Sequence, residues 1–208
     1  MSQTAAGLIK RLKDHRLRFF TTADVRTLTG MTPFAASHAL RRLANDGILV
    51  YLKRGVWANQ LFEDLDPLEA IPHLTAPWAS YVSLYSALSR QGIIEEVPQA
   101  SYGVTAGRPQ KLTTPLGTFH IHHLPGHLIW GFNREPVGHA VLFMAEPEKA
   151  LLDLAYLGLI PRSPLGLPYK RDRRWRLDPD KLAKYAKRFH YPPLIKYLRS
   201  TNILRTHI

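Results

Sequence analysis

Residues 21–59 carry the stretch that decides the fold of the first part of the chain, TTADVRTLTGMTPFAASHALRRLANDGILVYLKRGVWAN. The hydroxyl of Thr21 is suited to cap a helix over 22–28, and Asp24, three residues later, completes a capping box. Gly30 then offers the left-handed conformation that a helix end and a tight turn require. The beginning of this stretch therefore predicts a short helix followed by a turn.

A second helix follows directly. Thr32 is suited to its N-cap and Pro33 to its first position, where the missing N–H costs no hydrogen bond. Gly47 ends this helix after Asp46. Its apolar residues recur at helical spacing, which predicts a buried stripe of Ala36, Leu40 and Leu43.

The opposite face of this second helix has the composition of a DNA-reading surface. Arginine pairs with guanine through two hydrogen bonds, serine and histidine can donate to acceptors in the major groove, and an aromatic ring can contact a thymine methyl. We expect this face and the start of the helix to contact DNA through Thr32, Pro33, Phe34, Ser37, His38, Arg41 and Arg42.

Two short strands, 48–52 and 56–57, are predicted next, joined by a turn that carries Lys53 and Arg54. A basic hairpin at this position is typical of a wing that contacts phosphates or the minor groove. With an amphipathic helix upstream, residues 1–60 predict a winged helix-turn-helix DNA-binding domain. The alternative is a small helical domain whose basic face is solvated or used in protein contacts.

The charge is distributed unevenly along the 208 residues, whose net charge is +12. Residues 1–60 hold ten Lys and Arg against three Asp and Glu, residues 61–160 five against ten, and residues 161–208 thirteen against three. A basic first domain favours DNA binding through counterion release, whereas an acidic middle region argues against uniform coating of nucleic acid. The middle region must therefore serve another purpose.

Length and composition limit the class of protein. A hydrophobic content of 45% allows two small globular domains, and the absence of cysteine excludes disulfides and cysteine-ligated zinc. The longest apolar stretch, 150–160, contains Asp153 and is shorter than the roughly 20 apolar residues that span a bilayer. The sequence therefore predicts a cytoplasmic protein with no signal peptide and no membrane partner.

The sign of the charge changes near residue 60, where we place a domain boundary and expect a flexible joint. The second region, 61–208, predicts a mixed α/β domain that ends in a basic helical tail, 161–208. Helices are expected at 67–74, 80–91, 147–157, 179–190 and 192–199. Strands are expected at 100–105, 118–124, 128–132 and 137–145. The fold class predicted for the whole chain is α+β.

Two segments of the second region resemble the signature segments of a known family. They read YVSLYSAL at 81–88 and AEPEKALLDL at 145–154, and the predicted hairpin ends with RGVW at 54–57. In this order, they resemble the AbiEi-type antitoxins, the regulatory half of type IV toxin-antitoxin systems. The resemblance covers most of residues 5–157.

This resemblance implies a protein with two functions. The winged helix would bind double-stranded DNA at the promoter of its own operon and repress it. The C-terminal domain would neutralise a cognate nucleotidyltransferase-like toxin, without needing a stable complex. The polar positions of the two similar segments become the candidates for antitoxin function: Ser83, Ser86, Glu148, Lys149 and Asp153. Their structural alternative is that Glu148 complements the helix N-terminus and Asp153 pairs within its helix.

The basic tail offers a possible second nucleic-acid surface. Next to the rings of Tyr169 and Trp175, which could stack on a base, lie Lys170, Arg171, Arg173, Arg174 and Arg176. A helical stripe follows, formed by Lys181, Lys184, Lys187 and Arg188. The alternative is an ordinary solvated basic face.

Two patterns could indicate metal-dependent chemistry. Asp64 and Asp66 are spaced as in magnesium-binding nucleotidyltransferases, but no Gly-Ser pair occurs in the chain, and a helix cap at Asp66 explains the pattern better. His120 and His122 share one strand face and could share a metal, but no third ligand is signalled nearby.

A third pattern, the glycine-containing loop 103–109, lacks the Lys-Ser/Thr ending and the helix of a phosphate loop. We therefore predict that the protein is not an enzyme and needs no cofactor or metal. A stand-alone winged-helix regulator, whose second domain senses a ligand or dimerises, is the alternative to an antitoxin.

Overall fold

Three helices and a three-stranded sheet make up the N-terminal part of the protein in the computed structural model, which describes residues 4–167 and 175–204. The elements are α1 (Ala5–Asp14), β1 (Phe19–Thr21), α2 (Thr22–Thr29), α3 (Pro33–Asn45), β2 (Leu49–Lys53) and β3 (Val56–Asn59). The strands are antiparallel and follow the order β1-β3-β2. Sequence analysis predicts all of these elements except β1, because three residues are too few to show an alternating pattern.

The ends of α2 and α3 use the residues that the sequence indicates. The N–H of Asp24 donates to Thr21 Oγ1 at 3.2 Å, and the N–H of Thr21 donates to the Asp24 carboxylate at 2.6 Å, so the predicted capping box is confirmed. Gly30 adopts a φ of 71°, and Thr32 caps α3 with Pro33 in its first turn. A tight turn therefore joins the two helices.

The predicted apolar stripe of α3 is also confirmed. Its three residues are at most 1% exposed and pack against α1, α2 and the hairpin. This first core cluster contains Leu8, Leu12, Phe20, Val25, Ala36, Leu40, Leu43, Leu49 and Trp57. Burial of one face of α3 leaves its opposite face available to solvent.

A six-stranded mixed sheet organises the second region. After a 3₁₀ turn at Pro67–Glu69, its elements are α4 (Ala70–Thr75), β4 (Ser80–Val82), α5 (Leu84–Arg90), β5 (Ser101–Thr105), β6 (Gln110–Thr114), β7 (Gly117–His123), β8 (Phe132–Val137), β9 (Ala140–Ala145), α6 (Pro147–Gly158), α7 (Pro179–Arg188) and α8 (Pro192–Ser200). The strand order is β6-β7-β5-β4-β9-β8. Two neighbouring pairs, β4 with β9 and β5 with β7, are parallel, and the others are antiparallel. The protein is therefore a mixed α+β protein.

The helices of this region pack in order along the sheet. α4 contacts β4, α5 contacts β5 and α6, and α7 and α8 pack on α6 and on each other. Across residues 4–167 and 175–204, no helix combines the length and the apolar character that a bilayer crossing demands.

Two sequence predictions in this region are wrong. A helix is predicted from residue 80 to 91, but Ser80–Val82 forms β4, and the helix begins only at Leu84. Tyr81 is fully buried between two neighbouring strands, so sheet pairing outweighs the local helical pattern. A strand is predicted at 128–132, but Leu128 ends a 3₁₀ turn, and β8 starts at Phe132.

The sequence did not predict β6, and it missed most of β8. Both strands lie at the edges of the six-stranded sheet. They read QKLTT and FNREPV, in which polar residues and a proline replace the apolar pattern of a central strand. An edge strand needs only one partner and one buried face, so its sequence signal is weak.

The two predicted domains are in contact. Phe19 and Leu52 belong to the same buried cluster as Ile71 and Leu74 of α4. The domain boundary near residue 60 stays a prediction, but the surfaces on its two sides are packed together.

Arg18 joins these two surfaces by charge. Its guanidinium donates to both carboxylate oxygens of Glu69, at 2.8 and 2.9 Å, and to Asp64 Oδ1 at 2.7 Å. The same group lies 5.4 Å from the centre of the Phe62 ring. Hydrogen bonding to Glu69 and Asp64 raises the pKa of Arg18, and Arg18 in turn lowers the pKa of the Asp64 carboxyl. The Glu69 side chain is only 8% exposed, so Arg18 supplies a counter-charge to a nearly buried carboxylate.

We expect the Arg18→Leu variant to lose about 3 kcal/mol of unfolding free energy, because the Glu69 carboxylate stays buried without its counter-charge. Urea unfolding of the full chain measures this loss. The matched control is Asp64→Asn, which removes the half-exposed partner and should have a much smaller effect. Equal stability of Arg18→Leu and wild type would show that this contact does not hold the two surfaces together.

Candidate nucleic-acid interface

The exposed face of α3 presents the side chains that the sequence assigns to DNA reading. Phe34 is 82% exposed, and its ring stacks on His38 with 6.3 Å between ring centroids. Arg41 and Arg42 are exposed, and no acidic group among the described residues forms a salt bridge with either of them. Ser37 is half-buried on the same side of the helix.

The start of α3 adds its N-cap residue and the proline of its first turn to this surface. Thr32 and Pro33 are both exposed, and Thr32 Oγ1 accepts a hydrogen bond from the N–H of Ala35 at 3.3 Å. The N-terminus of the helix, with its partial positive charge, therefore opens to solvent beside Phe34. The Phe34 ring, 82% exposed and stacked on His38, contributes nothing to the interior and is available to a partner molecule.

The hairpin turn presents one cation rather than the two that the sequence predicts. Arg54 is exposed, and Gly55 makes the turn with a φ of 75°. Lys53 belongs to β2, and its ammonium donates to the Leu74 carbonyl and, at 2.9 Å, to Gln110 Oε1. Burial lowers the pKa of Lys53. Lys53 thus joins the hairpin to the second region instead of pointing to solvent at its tip.

A buried charge cluster contains three of the five candidate antitoxin residues. Lys149 and Asp153 form an i,i+4 salt bridge on α6, and both side chains have no exposed surface. Asp153 Oδ2 accepts hydrogen bonds from the hydroxyls of Ser83, at 2.8 Å, and Tyr81, at 3.0 Å. The Lys149 ammonium also donates to the Tyr81 hydroxyl at 2.8 Å. This cluster connects the two segments in which the sequence resembles the antitoxin family.

Aromatic rings surround the Lys149 ammonium. It lies 4.8 Å from the ring centre of Trp130, 4.9 Å from that of Phe189 and 5.4 Å from that of Tyr81. Burial lowers the pKa of Lys149 and raises the pKa of Asp153, because each charged form is removed from water. The cluster is closed to any partner molecule, so its role is to hold α6 against β4.

The other two antitoxin candidates also have internal partners. Ser86 Oγ accepts a hydrogen bond from the Tyr102 N–H at 2.8 Å. Glu148, 4% exposed, accepts from the Asp178 N–H at 3.0 Å and lies 3.2 Å from the Lys181 ammonium. The alternative for Asp153, pairing within its helix, is confirmed, and Glu148 bridges α6 to α7. The polar pattern of the two segments therefore belongs to the interior.

The cations of the predicted second nucleic-acid surface differ in how they are placed in the structure. Lys170, Arg171, Arg173 and Arg174 lie outside the described residues. Lys181 pairs with Glu146 at 3.4 Å and with Glu148, so its charge is neutralised. Arg188 lies over the Trp130 ring at 4.1 Å. Within the described residues, four cations of the predicted set are exposed: Arg176, Lys184, Lys187 and Arg188.

Residues of the two patterns that could have indicated a metal site make structural contacts instead. Asp66 caps the 3₁₀ turn through the Leu68 N–H at 3.0 Å and pairs with Arg90. His120 and His122 pack against the Tyr102 ring. In the described part of the chain, no group of three or more His, Cys, Asp or Glu side chains is placed to hold a metal ion.

The glycine-containing loop 103–109 leads from β5 into the edge strand β6, so no helix follows it. Gly107 and Arg108 lie in this loop, which the sequence predicted only as a turn between strands. Next to them lies Trp78, which is 58% exposed. The exposure of a tryptophan has no signature in the sequence, because tryptophans are ordinarily buried.

No family model matches this chain, and a comparison with curated proteins finds no match. Functional inference therefore rests on the residues and on their geometry.

We expect Lys149→Met and Asp153→Leu each to lose about 3 kcal/mol of unfolding free energy, because each leaves one buried charge unpaired. The double variant should be more stable than the sum of the two losses implies, because it buries no charge. Urea unfolding of the four proteins gives the coupling free energy. Additive losses would mean that the two charges do not depend on each other.

Proposed function

We propose that this chain is the antitoxin of a type IV toxin-antitoxin system. Its N-terminal part acts as a winged helix-turn-helix that binds the promoter DNA of its own operon and represses transcription. Its second region counteracts a cognate nucleotidyltransferase-like toxin.

The exposed face of α3 carries the DNA-binding half of this proposal. Phe34, Ser37, His38 and Arg41 recur at intervals of three and four residues, so they line about 10 Å of one helix face. α3 contains no acidic residue, and the major groove, about 12 Å wide, admits an α-helix and has a negative potential that suits such a face. Phe34, His38 and Arg41 are exposed, so packing in the interior does not explain them.

The arrangement around α3 supports DNA over a protein partner. α2 and α3 are joined by a tight turn, and the hairpin that follows carries Arg54 at its turn. In a winged helix, the second helix enters the major groove while the hairpin reaches the phosphates. The excess of ten cationic over three acidic residues in 1–60 favours the same polyanionic partner.

The antitoxin half is supported by the resemblance of the two segments at 81–88 and 145–154. The contacts of Ser83 with Asp153, and of Tyr81 with Lys149, place these segments in one buried unit. In this proposal the toxin contacts exposed residues of the second region. The buried candidate residues stabilise the fold that holds those exposed residues in place.

We expect Arg41→Gln to weaken binding to DNA from upstream of the gene by about 1 to 3 kcal/mol, because a bidentate base contact would be lost. It should also reduce the preference over a shuffled sequence. Fluorescence anisotropy at about 150 mM salt measures both effects.

The matched control for this measurement is Arg134→Gln. Arg134 is also exposed but lies on β8, outside the N-terminal part, so binding should not change. If the wild-type chain shows no preference for the upstream DNA, the repressor function is wrong.

Toxin neutralisation is tested separately: the genes that flank this one are expressed in cells, and the proposal expects one of them to encode a nucleotidyltransferase-like toxin that arrests growth. We expect the Arg41→Gln/Arg42→Gln variant to lose repression of a promoter reporter but to rescue growth as wild type does, because both side chains are exposed and leave the second region unchanged. DNA binding without any rescue by the wild-type chain would instead favour a stand-alone regulator.

A further inference from the structure

A surface pocket lies where the second region adjoins the hairpin. It is formed by the ends of α4 and β7 and by the loop between β5 and β6. The residues of this pocket that could bind a ligand are Trp78, Arg108, Gln110 and His123. The lining contains no acidic residue.

Trp78 packs against the loop backbone but remains largely exposed to solvent. A Cβ at Gly107 would lie 2.4 Å from Trp78 Cδ1 and 2.6 Å from Cγ, so the indole packs directly on the glycine backbone. Even so, Trp78 is 58% exposed. An indole that is anchored to the loop at Cγ and Cδ1 and is otherwise largely exposed presents apolar surface and an N–H donor to a ligand.

Polar groups of the pocket are oriented by the same loop. His123 Nδ1 lies 2.8 Å from the Gly107 carbonyl, which can only accept, so Nδ1 carries the proton and donates. Arg108 is exposed, and within residues 4–167 and 175–204 its guanidinium has no ion-pair or hydrogen-bond partner.

The pocket is continuous with the hairpin. Gln110, which lines the pocket, accepts a hydrogen bond from Lys53 at the end of β2 and donates to the Leu74 carbonyl at 3.3 Å. The edge strand β6 therefore lies against β2. β2 ends at Lys53, and the next residue, Arg54, is in the hairpin turn. Arg108 lies two residues before Gln110, so the contact between Lys53 and Gln110 places the hairpin turn beside the pocket.

We propose that Trp78 and Arg108 form a second DNA contact that binds the phosphate backbone of the duplex next to the hairpin. This inference rests on the proposed DNA-binding function. The Arg108 guanidinium pairs with a phosphate, the Trp78 indole packs on the adjacent sugar, and its N–H donates to a phosphate oxygen. The second region thus extends the DNA footprint beyond what α3 and the hairpin cover.

A phosphate contact explains the composition of the pocket better than a base-reading one. The pocket offers a guanidinium and a ring donor, and these recognise the backbone whatever the base sequence. Its residues lie on the sheet edge and on loops, not on a helix that enters a groove. Loss of this contact is therefore expected to weaken binding to every sequence about equally.

The experiment compares wild type, Arg108→Gln and Trp78→Ala for binding to a duplex from upstream of the gene, with salt titration and hydroxyl-radical footprinting. We expect each variant to bind about five- to tenfold more weakly at 150 mM salt, and Arg108→Gln to lower the salt slope by about 1. The wild-type footprint should shorten at one end in both variants. Preference over a shuffled duplex should be retained.

Arg134→Gln is the matched control, because β8 and β6 form opposite edges of the sheet. Its affinity, slope and footprint should equal those of wild type. Unfolding curves identify any variant that does not fold; in that case Trp78→Phe, which keeps the ring without the N–H, replaces Trp78→Ala and should show the same shortened footprint.

The outcomes separate this inference from the function on which it rests. If wild type binds the upstream duplex and both variants match it in affinity, slope and footprint, the second contact is wrong and the repressor function stands. If wild type binds the upstream and shuffled duplexes equally but both variants still lower affinity and shorten the footprint, the repressor function is wrong and the phosphate contact stands. If wild type binds neither duplex, both are wrong.

Discussion

The buried ion pair between Lys149 and Asp153 is the constraint on which the second region depends. Two charges without any exposed surface are tolerated only where each has its counter-charge and further hydrogen bonds, here from the hydroxyls of Tyr81 and Ser83. Those four groups come from α6, from β4 and from the residue that follows β4, so only one placement of the helix on the sheet satisfies them. The rings of Trp130 and Phe189 then close over the ammonium, which brings α7 onto the same site.

The N-terminal part is attached to this unit by polar ties as well as by apolar packing. Arg18 reaches across to Glu69 and Asp64, and Lys53 reaches the Leu74 carbonyl and Gln110. In both cases a cation from the N-terminal part finds its partners beyond residue 60. Since each cation is partly removed from water, separating the two surfaces would expose or unpair these groups.

The two sets of candidate residues consequently have different physical roles. The face of α3 is exposed and cationic, so its side chains can meet a ligand without any rearrangement. The polar residues of the segments at 81–88 and 145–154 are internal, so their substitution acts first on folding. A loss of function in such variants has to be compared with their stability before it is assigned to a partner surface.

Most of the helices, their caps and the class of the fold could be predicted from the amino-acid sequence. Capping boxes, glycine in the left-handed region and the stripe of Ala36, Leu40 and Leu43 are local patterns, and local patterns are readable along the chain. They also indicated which face of α3 would be exposed. The strand at Ser80–Val82, the edge strands, and the burial of Lys149 and Asp153 could not be predicted in this way, because each depends on partners distant in the sequence. The same holds for Lys53, which the sequence predicted at a solvent-exposed turn. In the structure it donates to Gln110, 57 residues away, and lies between the two parts of the protein.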